Sequence, residues 1–251
     1  MIPAKQLDAL RHAVASSAAE HTALLRVSGD AAFPVVNRLC TSDLRLRDHQ
    51  MRHTLLLDED ARVLADAYIC RDDEDYLLLL EGMSYLELLE HVDTLPVGSN
   101  DAAIEDLREH HELLAIDGPY AWELLASALS PDIVGQPFMS CYEIDGVRAF
   151  RAGKTGEYGY LLLAPASRAG DLRERIDEEG RKLDLVEVGQ EALDQCALEN
   201  WFFNIRREGL ASASPIELQL QWRLSPTKEF VGSAALAALR AAGQRRRNTC
   251  L

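Results

Sequence analysis

Three apolar runs, His53–Leu57, Val63–Cys70 and Tyr76–Leu80, follow one another with only acidic clusters between them, Asp58-Glu59-Asp60 and Asp72-Asp73-Glu74-Asp75. Apolar runs of this length, bounded by charged breakers, predict strands. Connections this short allow only antiparallel neighbours, so the segment predicts a meander with charged turns.

Helical patterns flank that meander. An Ala-rich opening from Ile2 to Ala19 has helical spacing and predicts a surface helix. Leu24–Asp30 predicts a strand ending in a turn, and Ala31–Leu39 a helix begun behind Asp30 as its cap. Tyr85–His91 is short and amphipathic, and Leu113–Ile116 predicts a strand running into the turn Asp117-Gly118-Pro119. A helix over Tyr120–Ala128, a strand pair around Val147–Phe150 and Tyr160–Leu163, and helices over Arg168–Arg181 and Gln190–Leu198 follow. Strands and helices alternate irregularly without a repeat, which predicts an α+β architecture.

At 251 residues the chain has room for one large domain or two interleaved ones. The expected division is an inserted α+β subdomain over Leu24–Asp117, with 1–23 plus 118–251 forming a second, discontinuous one, and a cleft between them. Acidic residues outnumber basic ones, 41 to 26, for a formal charge of −15. A sequence-independent nucleic-acid surface is excluded by that balance, because neutralising phosphates needs Lys and Arg in excess. The five cysteines, Cys40, Cys70, Cys141, Cys196 and Cys250, form no C-x-x-C pair and are read as reduced thiols, neither disulfides nor zinc ligands, with no metal site expected. No basic segment leads into an apolar run at the N-terminus and no stretch is long enough to span a membrane, so a cytoplasmic location and no membrane partner are expected.

Two stretches carry the chemistry. Gly153-Lys154-Thr155-Gly156-Glu157-Tyr158-Gly159-Tyr160 is a glycine-punctuated turn opening onto a strand, and some forty residues on Leu198-Glu199 places one acid in an apolar setting. Such a pair suits a flat, hydrogen-bonding heterocycle. Tyr158 and Tyr160 alternate about Gly159, so one is expected to stack on a ligand while the other faces the core.

The order of these motifs resembles the folate-binding region of the glycine-cleavage T-protein (aminomethyltransferase) family. The resembling elements are Leu25-Arg26-Val27-Ser28-Gly29, Leu39-Cys40-Thr41-Ser42-Asp43, Val63-Leu64-Ala65-Asp66 and Gly118-Pro119-Tyr120-Ala121, then the glycine turn and Leu198-Glu199. Glu208, Pro215, Trp222 and Phe230-Val231-Gly232 continue the series at the family's spacing. The resemblance implies a T-protein-like folate-binding fold of two interleaved α+β subdomains. The family's C-terminal β-barrel finds no counterpart in this sequence.

The resemblance also implies roles. Glu199 falls where the family's glutamate holds the pterin edge, a task suited to a carboxylate accepting two parallel N–H bonds; the alternative is a helix-end acid paired with an arginine. Asp66 falls where a catalytic acid stands near the reactive folate nitrogens, able to stabilise a developing cation, although Ala65 replaces the first of two adjacent acids common there. His53 stands where a tyrosine is frequent and is read as a proton shuttle or a packing residue. Glu81 replaces an asparagine and would add negative charge beside Asp66. Lys154 replaces a tyrosine and would meet a carboxylate or only solvent. Trp201-Phe202-Phe203 replaces small residues and would form a stacking wall or core. Arg206, Arg207 and Arg223 are candidates for the glutamate tail of folate, and Arg245-Arg246-Arg247 reads as a solvated tail. Asp66, Glu81, Tyr160 and Glu199 are expected to converge.

Function is left among three readings. The first is a one-carbon (methyl or methylene) transferase acting on a small molecule with tetrahydrofolate or its methyl or methylene derivative. The second is a non-enzymatic folate-binding protein; Asn204–Glu208 lacks the cysteine of the K-G-C-Y-x-G-Q-E signature in the branch implicated in iron-sulfur enzyme maintenance. The third is a repurposed cleft that no longer uses folate. A lipoyl carrier protein is not expected as a partner, and a homo-oligomer stays open.

Overall fold

A computed structural model describes residues 2–95, 101–209 and 213–243. Arg245, Arg246, Arg247 and Cys250 lie outside the described residues. In chain order the elements are α1 (Ala4–His12), β1 (Ala15–Ser17), β2 (Thr22–Ser28), α2 (Ala32–Leu39), β3 (Met51–Leu57), β4 (Val63–Asp72), β5 (Asp75–Glu81), α3 (Tyr85–Asp93), β6 (Ala103–Asp106) and β7 (His111–Asp117). They continue with α4 (Ala121–Ala128), β8 (Ser140–Ile144), β9 (Val147–Arg151), β10 (Gly159–Pro165), α5 (Ala166–Gly180), β11 (Val186–Glu187), α6 (Gln190–Glu199), α7 (Ile205–Glu208) and α8 (Ser233–Ala242).

The chain divides into two compact units, Met1–Glu20 with Arg108–Phe203, and His21–Leu107 with Asn204–Leu251. We call them the first and second units. This differs from the expected division in three places, the smallest being residues 21–23, which fall at the start of the second unit because β2 begins at Thr22. Residues 108–117 belong with the first unit, because β7 is an inner strand of its sheet. Residues 204–251 return to the second unit, where Val231 joins the apolar core of the meander.

The second unit is a five-stranded sheet in the order β3-β4-β5-β2-β6, every pairing antiparallel. The expected meander is β3-β4-β5, and strand alternation gives its faces their character. Ala65, Ala67 and Ile69 of β4 and Leu78 and Leu80 of β5 join Val35, Val36 and Leu39 of α2 and Leu88 and Val92 of α3 in one buried cluster. The intervening residues, Asp66 and Tyr68 on β4 and Glu81 on β5, are thereby sent to the opposite face. The expected Asp30 cap is not made: Ala31 occupies the cap position of α2 without a side-chain bond, and the Ala32 N–H goes to the Gly29 carbonyl at 2.9 Å. Ser84 and Glu87 instead form a reciprocal capping box on α3, two N-terminal donors satisfied at once.

The first unit is a six-stranded sheet in the order β11-β1-β7-β10-β9-β8. Leu114 and Ile116 of β7 and Tyr160, Leu162 and Ala164 of β10 pack with Leu124 and Leu125 of α4 and Leu172 and Ile176 of α5. A second cluster joins Ala9 and Leu10 of α1 to Ala15 of β1 and Ala192 and Cys196 of α6. The expected helix over Ile2–Ala19 is corrected: α1 ends at His12 and Ala15–Ser17 pairs with both β7 and β11. An Ala-Ser-Ser sequence has little intrinsic strand preference, so tertiary pairing decides its state.

Candidate functional site

On the face of the second unit's sheet opposite α2 and α3, β3 and β4 bring three residues into one group. His53 is directly opposite Tyr68, and Asp66 is opposite both Leu55 on β3 and Glu81 on β5. Directly paired residues share a face, which puts His53, Asp66, Tyr68 and Glu81 on the same side of the sheet. His53 Nε2 lies 2.7 Å from Asp66 Oδ1, and the His53 ring stacks on Tyr68 with centroids 4.3 Å apart. Arg223 Nη1 donates to the same Asp66 oxygen at 2.6 Å. The Asp66 side chain is fully buried and that of Arg223 is 2% exposed, whereas His53 keeps 12%, so the imidazole is the member of the group that reaches solvent.

Arg223 is delivered by a tight turn over Gln221–Arg223. Its carbonyl accepts from Thr41 Oγ1 at 3.0 Å and Ser42 Oγ at 2.8 Å, two buried hydroxyls from the segment after α2. The guanidinium lies 4.8 Å from the centre of the Trp222 ring, whose other surroundings leave it exposed. The expectation that Arg223 receives the glutamate tail of folate is corrected on this ground: a buried guanidinium committed to Asp66 has no outward face to offer. Lys228, which the sequence did not single out, reaches the Ser42 carbonyl, and burial pushes its ammonium down to about 8.

The first unit carries the other candidates. The glycine turn leads into β10, where alternation settles the two tyrosines. Tyr160 is buried in the core, which corrects its assignment to the ligand, while Tyr158 is exposed with the Arg151 guanidinium 5.0 Å over its ring. Gly156 has φ +87°, and a Cβ there would stand 2.4 Å from Asn200 Oδ1. Asn200 uses that proximity: its amide donates to the Thr155 carbonyl at 2.8 Å and the Cys196 carbonyl at 2.9 Å, tying the turn to the end of α6. Lys154 is half-buried within the turn.

Glu199 is the last residue of α6. Arg11 Nη2 sits between its two oxygens at 2.6 and 2.7 Å, and Gln195 Nε2 donates to Oε1 at 2.9 Å. The Gln195 bond and then the Arg11 bond and charge hold the carboxyl below its ordinary range. Its side chain is 37% exposed, so the acid is an ion-paired helix-end residue at the surface. Trp201 follows in a left-handed conformation, φ +60°, and is 76% exposed, which removes the core-packing alternative for this ring. Phe203 is buried instead. Glu208 and Glu217 act as local caps, accepting from Asn204 N and Ser214 N.

The structure therefore gathers His53, Asp66, Glu81 and Arg223 on the second unit, and Lys154, Tyr158, Glu199 and Trp201 on the first. Sequence reasoning missed Arg11, Asn200, Lys228 and the buried acid Asp117. Nothing in local spacing marks Arg11, which lies 188 residues from its partner. The four cysteines described, Cys40, Cys70, Cys141 and Cys196, are free thiols. Among the described residues no helix is long and apolar enough to cross a membrane.

Comparisons with known proteins agree on the family. The aminomethyltransferase of Geobacillus thermodenitrificans is 30% identical over 240 residues, covering 90% of this chain and 64% of that protein. That of Mycobacterium avium is 29% identical over 248 residues, covering 95% of this chain and 66% of the other. The crystal structure of the glycine cleavage system aminomethyltransferase T from Bartonella henselae superposes with a TM-score of 0.80 at 24% identity, over 95% of this chain and 66% of that one. The chain thus spans about two thirds of the length of the relatives it matches. The two-sheet α+β architecture is shared with that structure, and the family model for the GCVT N-terminal domain matches residues 3–228. The chain belongs to the GCVT N-terminal domain family.

Proposed function

We propose that this chain binds a tetrahydrofolate and assists transfer of a one-carbon unit to or from a small molecule. When bound, the folate supplies the nitrogens that carry the unit. Glu199 suits the edge of such a ring, because its two oxygens already receive an N–H donor from the planar Arg11 guanidinium, and a ring N–H with an adjacent amino group presents the same kind of donor. Exposed Trp201 and Tyr158 offer flat apolar faces on the same unit.

The observation that carries a transferase over a passive binder is the imidazole of His53 held by a buried carboxylate. With Asp66 as acceptor, the neutral ring donates from Nε2, which places its basic lone pair on Nδ1. His53 then takes a proton at Nδ1 from a substrate amine, and Asp66 steadies the imidazolium that results. Arg223 fixes the Asp66 oxygen that both partners use. Glu81, opposite Asp66 on β5, adds negative charge that favours a cationic substrate.

The test is calorimetric titration with tetrahydrofolate together with a single-turnover transfer assay. Glu199→Gln is expected to abolish micromolar binding, and failure of the unaltered protein to bind would remove folate from the proposal. His53→Gln is expected to lower turnover by about 10²–10⁴-fold while folate affinity stays within a few-fold. Equal loss of both would deny His53 a catalytic role. His53 is the cleaner probe than Asp66, whose removal strands the Arg223 charge.

A second reading has its own support. The Arg223 cation 2.6 Å from Asp66 already matches the carboxylate's charge, which weakens Asp66 as a stabiliser of a developing cation and favours a folate-binding protein without turnover. Under that reading the unaltered protein binds tetrahydrofolate and transfers nothing.

A further inference from the structure

We propose that Asp117 is a positioning residue that latches the Gly153–Gly159 turn, which carries Lys154 and Tyr158, by holding its buried carboxyl beneath the two terminal glycines and against Thr155. The inference rests on the reading of this turn as part of the folate site.

Asp117 ends β7, an inner strand of the first unit's sheet, with Ala15 of β1 and Gly159 of β10 as its register partners. Its side chain lies under the turn. A Cβ on Gly153 would come within 3.2 Å of Asp117 Oδ1, and one on Gly159 within 3.0 Å. The same two glycines approach each other so closely that a Cβ on Gly159 would meet the Gly153 Cα at 2.8 Å. Both ends of the turn are therefore side-chain-free where they close over the carboxyl. Thr155 Oγ1, also buried, donates to Oδ1 at 3.3 Å from within the turn.

The groups facing this acid do little to hold a charge. Its strand neighbours Ala15 and Gly159 carry none, and the α1 backbone that closes on the adjacent Gly118 does so through Ala9 and Ala13. The titratable group it meets from α6 is the Cys196 thiol, which burial and then the Glu199 charge push up, so that it stays uncharged and offers the acid no counter-charge. With only Thr155 opposing, burial raises the Asp117 carboxyl to about 7. The acid form keeps the turn closed, whereas ionisation beneath two backbone segments demands water and opens it.

Three proteins test this: wild type, D117N and T155V. Infrared difference spectroscopy between about pH 5 and about pH 9 is expected to show a protonated-carboxyl band that is lost near pH 7 in wild type and missing in D117N. In T155V the loss moves to higher pH, because the donor that favours the charged form is gone. Hydrogen exchange of the turn amides above the midpoint is expected to be faster in wild type than in D117N. Tetrahydrofolate affinity of wild type falls several-fold across the same window and stays flat in D117N. The latch is overturned by a midpoint that T155V leaves unmoved, or by turn exchange that D117N leaves unchanged at high pH. T155V keeps the test open should D117N fail to fold. If band and exchange behave as expected while no folate binds at any pH, the latch stands and the folate reading falls.

Discussion

Two carboxylates, one on each unit, hold an arginine at 2.6 Å, yet their surroundings make them different objects. Asp66 is sealed, with Arg223 and His53 converging on one oxygen. Glu199 is more than a third exposed, and its arginine is itself 42% exposed. Charges withdrawn from water owe their stability to each other, so removing one partner leaves a large uncompensated cost. Charges at the surface exchange partners with water or ligand at little cost. The buried group depends on mutual neutralisation, whereas the surface pair is open to exchange.

The sharpest way to break this contrast is Arg223→Met. It strands the Asp66 charge and is expected to destabilise the protein by about 3–5 kcal/mol in chemical denaturation. A loss comparable to that of an ordinary surface substitution would mean that water reaches Asp66, and the contrast would disappear.

Next in size is a pH effect on the first unit. Because burial raises the Asp117 carboxyl to about 7, the folded protein holds a proton that the unfolded chain releases near its ordinary acid range. The folded state binds more protons through that window. Stability therefore falls as pH rises from about 4 to about 7 and levels above it. D117N should lack this slope. The measurement is the difference between wild-type and D117N unfolding free energies across that range, and a difference that does not depend on pH would show that Asp117 ionises freely.

The smallest effect belongs to the exposed pair. Arg11→Met is expected to leave the thermal midpoint nearly unchanged and to tighten tetrahydrofolate binding, since Glu199 is relieved of its competitor. Weaker binding would instead place Arg11 among the ligand's own contacts.

Much of the second unit was legible because its information is local. Strand period, acidic turns and the runs over His53–Leu57, Val63–Cys70 and Tyr76–Leu80 all point to β3-β4-β5. The alternation of Tyr158 and Tyr160 likewise announces opposite faces, but both are tyrosines, so which one enters the core depends on the sheet packed around them. The opening segment misled for a related reason. Ala15-Ser16-Ser17 becomes a strand because β7 and β11 stand on either side of it, not because of its own preference. The division into units was misjudged after residue 203 because the chain's return to the meander is written in contacts of Val231 and Arg223, not in composition.

Taken alone, the order of residues settles much that depends on neighbours a few positions apart: where the strands of the meander and most helices form, and which family pattern the acids and glycines follow. Partnership across long separations was decided only by the folded chain. Arg223 meets Asp66 from 157 residues away, Arg11 meets Glu199 from 188, and Thr155 meets Asp117 from 38. A carboxylate's chemistry follows from its solvent and its counter-charge, and both are properties of packing. The same carboxyl group is therefore sealed at 66, exposed at 199 and raised by burial to about 7 at 117.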